Sequence, residues 1–426
     1  MGHLLMLESW VGGTGQILPA AITALGHSYS FVTRRREHYA TPPATHPVLA
    51  YAQHVLTTET NDEAALIDFL REQHRLLHFD GVLTICDYYI DTARQVAAVL
   101  DLPCSFPSHV RSIRNKGLLR QALDRAGLAN PAYQLVNSWS EAQTAALTIG
   151  YPLVIKPTDL ASSAYVRLVH NDAELRESYT TLAGFERNFR DQPRERAVLL
   201  EAYMHGPEVS VEACTFAGET TILGITDKGL TGEPYFIEDS HMFPAALSEQ
   251  DQSVTIELVR AALTAVGFDH GISHTEVKLT PTGPRIVEIN PRVGGNYIAE
   301  LVDRVSGINL LNATIELALG QRPNVQPRET SISSAAIQFL VPNQAGTVQA
   351  IHGQTALANA PHVARWTLSA TAGSTIDQPI DNACYLGHVV AVDADGLQAR
   401  SFASQAAALL EFEFAEQPSL EVARNG

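Results

Sequence analysis

Cysteine is scarce. The 426 residues hold four, Cys86, Cys104, Cys214 and Cys384. None forms a Cys-x-x-Cys pair and none joins histidines at zinc spacing. That excludes a disulfide scaffold and a structural zinc site, and it suits reduced thiols in a cytoplasmic protein. Positive charge is also short, with 29 Lys and Arg against 46 Asp and Glu and a net charge of −17. Nucleic acid and anionic membranes both demand a basic footprint, so neither is expected as a partner. A small anionic substrate stays open, because a basic cleft can exist on an acidic protein. No apolar run is long enough to span a bilayer. The opening residues, Met1 to Gly15, lack the basic stretch and apolar core of a secretory leader. Internal repeats and low-complexity tracts are also missing. Hydrophobic residues make up 45%, enough for real cores, and the length suits about two to four domains.

The first hundred residues alternate strand and helix signals. His3–Leu7 is an apolar run that ends at Gly12-Gly13-Thr14-Gly15, which reads as a tight turn and matches neither a Walker A loop nor a full G-x-G-x-x-G. A helical pattern follows from Gln16 to Leu25, then a strand from Tyr29 to Thr33. Asp62 caps a helix reaching His74, Gly81 to Cys86 is apolar, and a further helix extends to Leu100. This alternation predicts an α/β domain with an open, mostly parallel sheet over residues 1–110. A second, α+β region is expected at 111–325, with helices at 112–127, 139–149, 172–184 and 251–266 among short strands. A polar linker with two prolines near 320–331 marks its end. A third α+β region, 326–426, carries strands at Ala335–Val341 and Gly387–Val392 and a helix from Ser401 to Leu410.

The densest chemistry lies in His274-Thr-Glu276-Val-Lys278 and Glu288-Ile-Asn290-Pro-Arg292, two alternating runs around Pro-Thr-Gly-Pro. They read as a β-hairpin. Glu276 and Lys278 share one face, and Glu288 and Asn290 share one, with Val287 and Ile289 behind them. A turn centred on Thr282 sets Glu276 opposite Glu288 and His274 opposite Asn290. Facing carboxylates destabilise a hairpin unless something neutralises them. A hard divalent cation would, and two carboxylates with an amide oxygen suit Mg²⁺, or Mn²⁺ in its place. Glu276, Glu288 and Asn290 are therefore the candidate metal ligands. Arg292 stands just beyond them, suited to a phosphate or a developing oxyanion.

Glu276…Glu288-Ile-Asn290-Pro-Arg292 resembles the magnesium-binding signature of the ATP-grasp superfamily. Further matches follow in that family's order. Arg114-Asn115-Lys116 and Leu153-Val-Ile-Lys156-Pro resemble the segments whose lysines contact the ATP phosphates. Glu201-Ala202-Tyr-Met204…Glu208 resembles the hinge between the lobes. The resemblance implies that backbone at Glu201, Ala202 and Met204 reads adenine and that Glu208 takes the ribose. After Lys156 this chain has Asp159-Leu-Ala-Ser162-Ser163-Ala164 where many members are glycine-rich. Ser162 and Ser163 still offer backbone N–H groups to phosphates. The expected fold is thus an α/β domain, an ATP-grasp domain in two lobes and a C-terminal closing domain.

The chemistry implied is ATP-dependent, ADP-forming ligation of a small carboxylate to an amine, through an acyl phosphate. Lys116, Lys156 and Arg292 are the catalytic candidates. Gly294 and Gly295 allow close backbone approach to a substrate carboxylate. Asp239-Ser-His241-Met-Phe243-Pro244 is similar to an element of the L-amino acid ligases, and His241 is the remaining candidate for substrate contact. A homodimer is compatible with this reading. Two alternatives share the scaffold: a biotin-carboxylase-like carboxylase, against which no Met-Lys-Met attachment site occurs, and a non-catalytic ATP-binding module, against which both lysines and the metal set are intact.

Overall fold

The computed structural model describes residues 1–40, 45–231 and 233–415. The first strands are β1 (His3–Leu7), β2 (Ser28–Thr33), β3 (His54–Thr57) and β4 (Gly81–Leu83). They form a parallel sheet in the order β3-β2-β1-β4. Helices Thr14–Ala24 and Glu63–Leu77 connect its strands, and Ile90–Leu100 follows β4. The Asp62 carboxylate accepts from Ala65 N at 3.1 Å and starts the second of these, as an N-cap aspartate does. This is the open α/β domain the alternating signals predict.

The expected helix at 112–127 is two helices, Val110–Arg114 and Lys116–Arg125. The apolar pattern runs through the break, so periodicity does not reveal it. Asn115 leaves the helical region, and its side chain accepts from Leu118 N at 2.9 Å. The cap restarts the helix at Lys116 and puts that lysine on the first helical turn.

Next comes a small lobe of β5 (Tyr133–Val136), β6 (Leu153–Pro157), β7 (Arg167–Val169) and β8 (Val198–Ala202), antiparallel in the order β5-β8-β6-β7. Helices Trp139–Ile149 and Asp172–Gly184 cover it, and it has a core of its own around Leu153, Ile155 and Leu200. The large lobe is built on β9 (Glu208–Phe216), β10 (Glu219–Thr231), β11 (Ile237–Phe243), β12 (Gly271–Thr280), β13 (Gly283–Asn290) and β14 (Ser334–Phe339). Strands Gly387–Asp393 and Val363–Leu368 extend the same sheet, in the order β13-β12-β9-β10-β11-β14 and then those two. The boundary expected at 325/326 therefore does not divide the sheet, because β14 pairs with β11 from Ser240↔Gln338 to Phe243↔Ala335. Helices Ile298–Ser306 and Leu310–Ala318 occupy a stretch for which the sequence reading proposed no element. Their apolar faces join Leu4, Phe31, Phe243 and Ile272 in one core, so the parallel sheet and the large sheet are packed together. Residues 416–426 of the expected third region lie outside the described residues. No described helix is long and apolar enough to cross a membrane.

Candidate active site between the lobes

The hairpin of β12 and β13 sets Glu276 opposite Glu288 and His274 opposite Asn290. The route to that register differs from the expected one. Thr280 pairs with Gly283, so the turn is tighter than one centred on Thr282, and an unbroken ladder would place Val287 opposite Glu276. A register shift beside Glu276, where Val277 pairs with Ile286, inserts Val287 and restores the facing carboxylates. A β-bulge re-aims side chains in this way. One consequence corrects the sequence reading: Val287 turns onto the cavity wall, while Ile286 and Ile289 pack behind.

Lysines surround these carboxylates. Lys116 Nζ stands 2.8 Å from Glu288 Oε2 and donates to Leu160 O at 3.0 Å. Lys228, a residue the sequence reading missed, is buried among three acids, 2.7 Å from Glu276, 2.8 Å from Glu208 and 3.0 Å from Glu238. Lys278 Nζ is 3.3 Å from Glu208. Lys156 Nζ is 2.6 Å from Glu201 Oε2, whose other oxygen accepts from Arg120 Nε at 2.5 Å. The sequence reading assigned neutralisation of the facing carboxylates to a divalent cation; here lysines do it.

The electrostatics follow. Burial alone would raise the Glu288 pKa, but Lys116, with Asn290 and Lys156, holds it well below the usual carboxylate range. Burial is likewise outweighed at Glu201, where Arg120 and Lys156 bring the pKa down to about 2. Burial and the nearby Arg120 lower the Lys156 pKa, against the pull of Glu201. His274 is pushed by burial toward the neutral form, yet Glu212 at 2.8 Å and Glu276 at 3.3 Å raise it to about 9. Charge compensation overrides desolvation at Glu288, Glu201 and His274, while at Lys156 burial and Arg120 outweigh Glu201.

Most of these groups border one cavity of about 500 Å³, while Arg120 and Glu212 lie behind its wall. Lys116, Lys156, Ser162, Ser163, Glu201, Ala202, Met204, Glu208, Glu276, Glu288, Arg292 and Gly295 line it. Three expected residues stand back from the wall. Asn290 donates from Nδ2 to Glu288 Oε1 at 2.8 Å, which leaves its amide oxygen uncommitted by that bond. Gly294 fills the gap beneath His274, where a Cβ would come within 2.9 Å of Nδ1. His241 is fully buried behind Glu238, with Nε2 3.2 Å from Glu238 Oε2 and Phe339 against its ring.

The loop after Lys156 reaches its shape without glycine. Ser162, Ser163 and Tyr165 take φ of 61°, 57° and 60°. Three left-handed non-glycine residues so close together carry strain that surrounding contacts must hold. Leu160 and Ala164 supply such contacts, buried against Cys86, Tyr88 and Tyr89 of the first domain. The Gly12–Gly15 turn also lies at the cavity, where Gly12, Gly13 and Thr14 line the wall. A Cβ on Gly15 would fall 1.9 Å from Trp10 O, so no other residue fits.

Arg292 is anchored by a residue absent from the sequence reading. Its Nε donates to Asp87 Oδ1 at 2.6 Å, and Trp10 Nε1 donates to Asp87 Oδ2 at 3.1 Å. One signal could have found Asp87: it follows the carboxyl end of a parallel strand, where α/β sheets place their ligand-binding residues. Lys228 and Glu238 carry no comparable local signal. Among the described residues no three His, Cys, Asp or Glu side chains stand grouped for a metal, and the third expected ligand is the amide of Asn290. The donor set of Glu276, Glu288 and Asn290 is nevertheless all oxygen, which fits Mg²⁺ rather than a softer ion.

Comparison with known proteins agrees with this architecture. Residues 20–104 match the ATP-grasp N-terminal domain, 149–300 the ATP-grasp domain and 338–415 the L-amino acid ligase C-terminal domain 2. The chain is 30% identical over 372 residues to the uncharacterized protein y4rH of Sinorhizobium fredii, covering 86% of this chain and 76% of that one. The chain belongs to the ATP-grasp family. Carnosine synthase 1 of Homo sapiens is 28% identical over 267 residues, which is 60% of this chain and 32% of that enzyme. The chain therefore spans about a third of that relative. The fold of this ATP-grasp ligase superposes on the crystal structure of L-amino acid ligase from Bacillus licheniformis with a TM-score of 0.80. That match covers 98% of this chain and 99% of the other, at 21% identity.

Proposed function

We propose that this ATP-grasp ligase joins two amino acids, activating the carboxylate of one as an acyl phosphate with ATP and releasing ADP and phosphate. The single observation that carries the reading is the convergence of Glu276, Glu288, Lys116, Lys156 and Arg292 on one cavity. The matched L-amino acid ligase domain and the carnosine synthase relative support amino acids as the substrate class. Glu276, Glu288 and the amide oxygen of Asn290 would hold Mg²⁺, or Mn²⁺, which screens phosphate charge and so assists phosphoryl transfer.

The chain's own groups account for the rest. Lys116 and Lys156 spread the charge of the transferring phosphoryl group, and backbone N–H groups at Ser162 and Ser163 receive phosphate oxygens. Backbone at Glu201, Ala202 and Met204 faces the adenine edge, and Glu208 takes the ribose hydroxyls. The fork of Arg292, fixed by Asp87, meets the oxyanion formed when the amine attacks the acyl carbon. Gly294 and Gly295 let backbone approach the substrate carboxylate. A cytoplasmic setting fits the four free thiols and the supply of ATP.

The test is to incubate the protein with ATP, Mg²⁺ and pairs of amino acids, and to separate nucleotides and amides by chromatography. ADP and amide in equal amounts are expected. AMP as the stoichiometric product, or no amide from any pair, would overturn the reading.

A further inference from the structure

Arg190 has no place in the chemistry above. It lies in residues 186–195, between helix Asp172–Gly184 and β8, and so belongs to the small lobe by chain. Its side chain is nevertheless buried in the first domain. Nη2 donates to Ser9 O and Nη1 to Tyr39 OH at 3.3 Å. The guanidinium also covers the Trp10 ring at 5.5 Å and the Tyr39 ring at 5.9 Å, within cation–π range. The Arg190 carbonyl accepts from Asn61 Nδ2 at 2.9 Å, and Asp191 pairs with Arg34 at 3.1 Å. Among the described residues no carboxylate pairs with Arg190 within 4.0 Å. Its charge is balanced through Tyr39, whose hydroxyl donates to Glu8 Oε2 at 2.8 Å, so the guanidinium sits in a polar network shared by the two domains.

The other end of this segment holds the phosphate loop. Arg194 pairs with Asp159 at 3.2 Å, and Glu195 N donates to Asp159 Oδ2 at 2.8 Å. Asp159 opens the loop that carries Ser162 and Ser163. The segment is thus a strap, tied at one end to the base of the phosphate loop and at the other to Trp10. Trp10 in turn borders the cavity and donates to Asp87, the anchor of Arg292. Each link is a direct contact.

We propose that Arg190 is a positioning residue that couples seating of the nucleotide phosphates on the 159–165 loop to the orientation of Arg292, through Trp10 and Asp87. The role given to Arg292 rests on the ligase reading; the coupling itself does not. When phosphate draws the loop inward, the strap presses Arg190 onto the indole, and the indole N–H holds Asp87 in line with Arg292. Without Arg190 the enzyme still activates its carboxylate but captures it poorly.

The experiment compares wild type with Arg190→Ala, Arg190→Lys and Trp10→Phe. Arg190→Ala should keep the KM for ATP within about three-fold while amide formation falls about ten- to a hundred-fold, the scale of ångström misplacement at a reacting centre. ADP released per amide formed should rise above one as acyl phosphate is lost to water. Arg190→Lys keeps the charge without the planar stack and should fall between the two. Trp10→Phe keeps a ring for Arg190 but not the N–H to Asp87, and should uncouple in the same way. Amide hydrogen exchange gives a readout independent of turnover. ATP with Mg²⁺ should slow exchange at both 159–165 and 84–91 in wild type, and at 159–165 alone in Arg190→Ala. A wild type that binds ATP but makes no amide would sink the ligase reading, and the exchange result would still decide the coupling. Persisting protection at 84–91 in Arg190→Ala would overturn the inference. So would one-to-one ADP and amide, or a parallel fall of both with the folded fraction.

Discussion

Lys116 Nζ and Glu288 Oε2 are 2.8 Å apart, so a lysine suited to phosphate and a carboxylate suited to a cation neutralise each other. Binding ATP with Mg²⁺ would exchange this pair for two new ones, Lys116 with phosphate and Glu288 with metal. Glu288→Gln removes the anion from both states. It should abolish the magnesium-dependent reaction, exceeding the roughly 10–100-fold loss typical of outer-shell changes at metal sites. The fold should survive with a stability loss on the order of 1–3 kcal/mol, since Lys116 keeps its bond to Leu160 O. Wild-type turnover with an unchanged magnesium requirement would refute the metal assignment.

Lys228 is the counter-charge for Glu208, Glu238 and Glu276 at once. Lys228→Met preserves much of the volume and removes the charge. Breaking a buried ion pair costs about 3–5 kcal/mol, offset in part here by Lys278 at Glu208 and His274 at Glu276. Thermal unfolding should shift down sharply without metal and recover in part when Mg²⁺ is added. A melting temperature within a degree of wild type would show that the three acids do not depend on this lysine.

Arg292→Lys should cost far more than a charge-conserving change. Lysine cannot reproduce the planar fork that meets Asp87 through Nε and Val293 O through Nη1. Loss of one preorganised oxyanion donor lowers kcat about 10²–10³-fold. Acyl phosphate should still form without the amine and be trapped by hydroxylamine. A variant whose sole defect is nucleotide binding would move Arg292 from catalysis to phosphate anchoring.

His388 gives a pH signature in the C-terminal part of the large sheet. Burial, reinforced by Arg365, lowers its pKa to about 4. The folded state favours the neutral ring, so between pH 4 and the ordinary value of 6.5 the unfolded chain binds more protons. Stability from this group is complete above about pH 6.5 and is lost as the pH falls toward 4. Melting temperature should drop over that window, and His388→Asn should flatten that part of the profile. An unchanged profile in the variant would assign the acid sensitivity elsewhere.

Much of the site was legible because its signals are local. Alternation in residues 274–279 and 286–290 marks two strands and their polar faces, since side chains in a strand alternate with period two. The order of Lys116, Lys156, Glu208, Glu276, Glu288 and Arg292 along the chain carried the family resemblance. Cap chemistry at Asp62 was readable in the same way. At Asn115 it was masked by an apolar pattern continuous through the break.

What the sequence by itself determined is therefore the alternating elements of the first domain, the β12–β13 hairpin and the shared faces of Glu276, Glu288 and Asn290. Which elements meet was decided by tertiary structure alone. Arg292 and Asp87 are separated by 205 positions, and Lys228 reaches Glu276 across β9, the strand between β10 and β12. Pairing order, the bulge at Val287, the continuous sheet across 325/326 and the burial of Arg190 in another domain all depend on such long-range contacts. Periodicity reports the environment of a residue along its own element; it holds no record of the partner that supplies that environment.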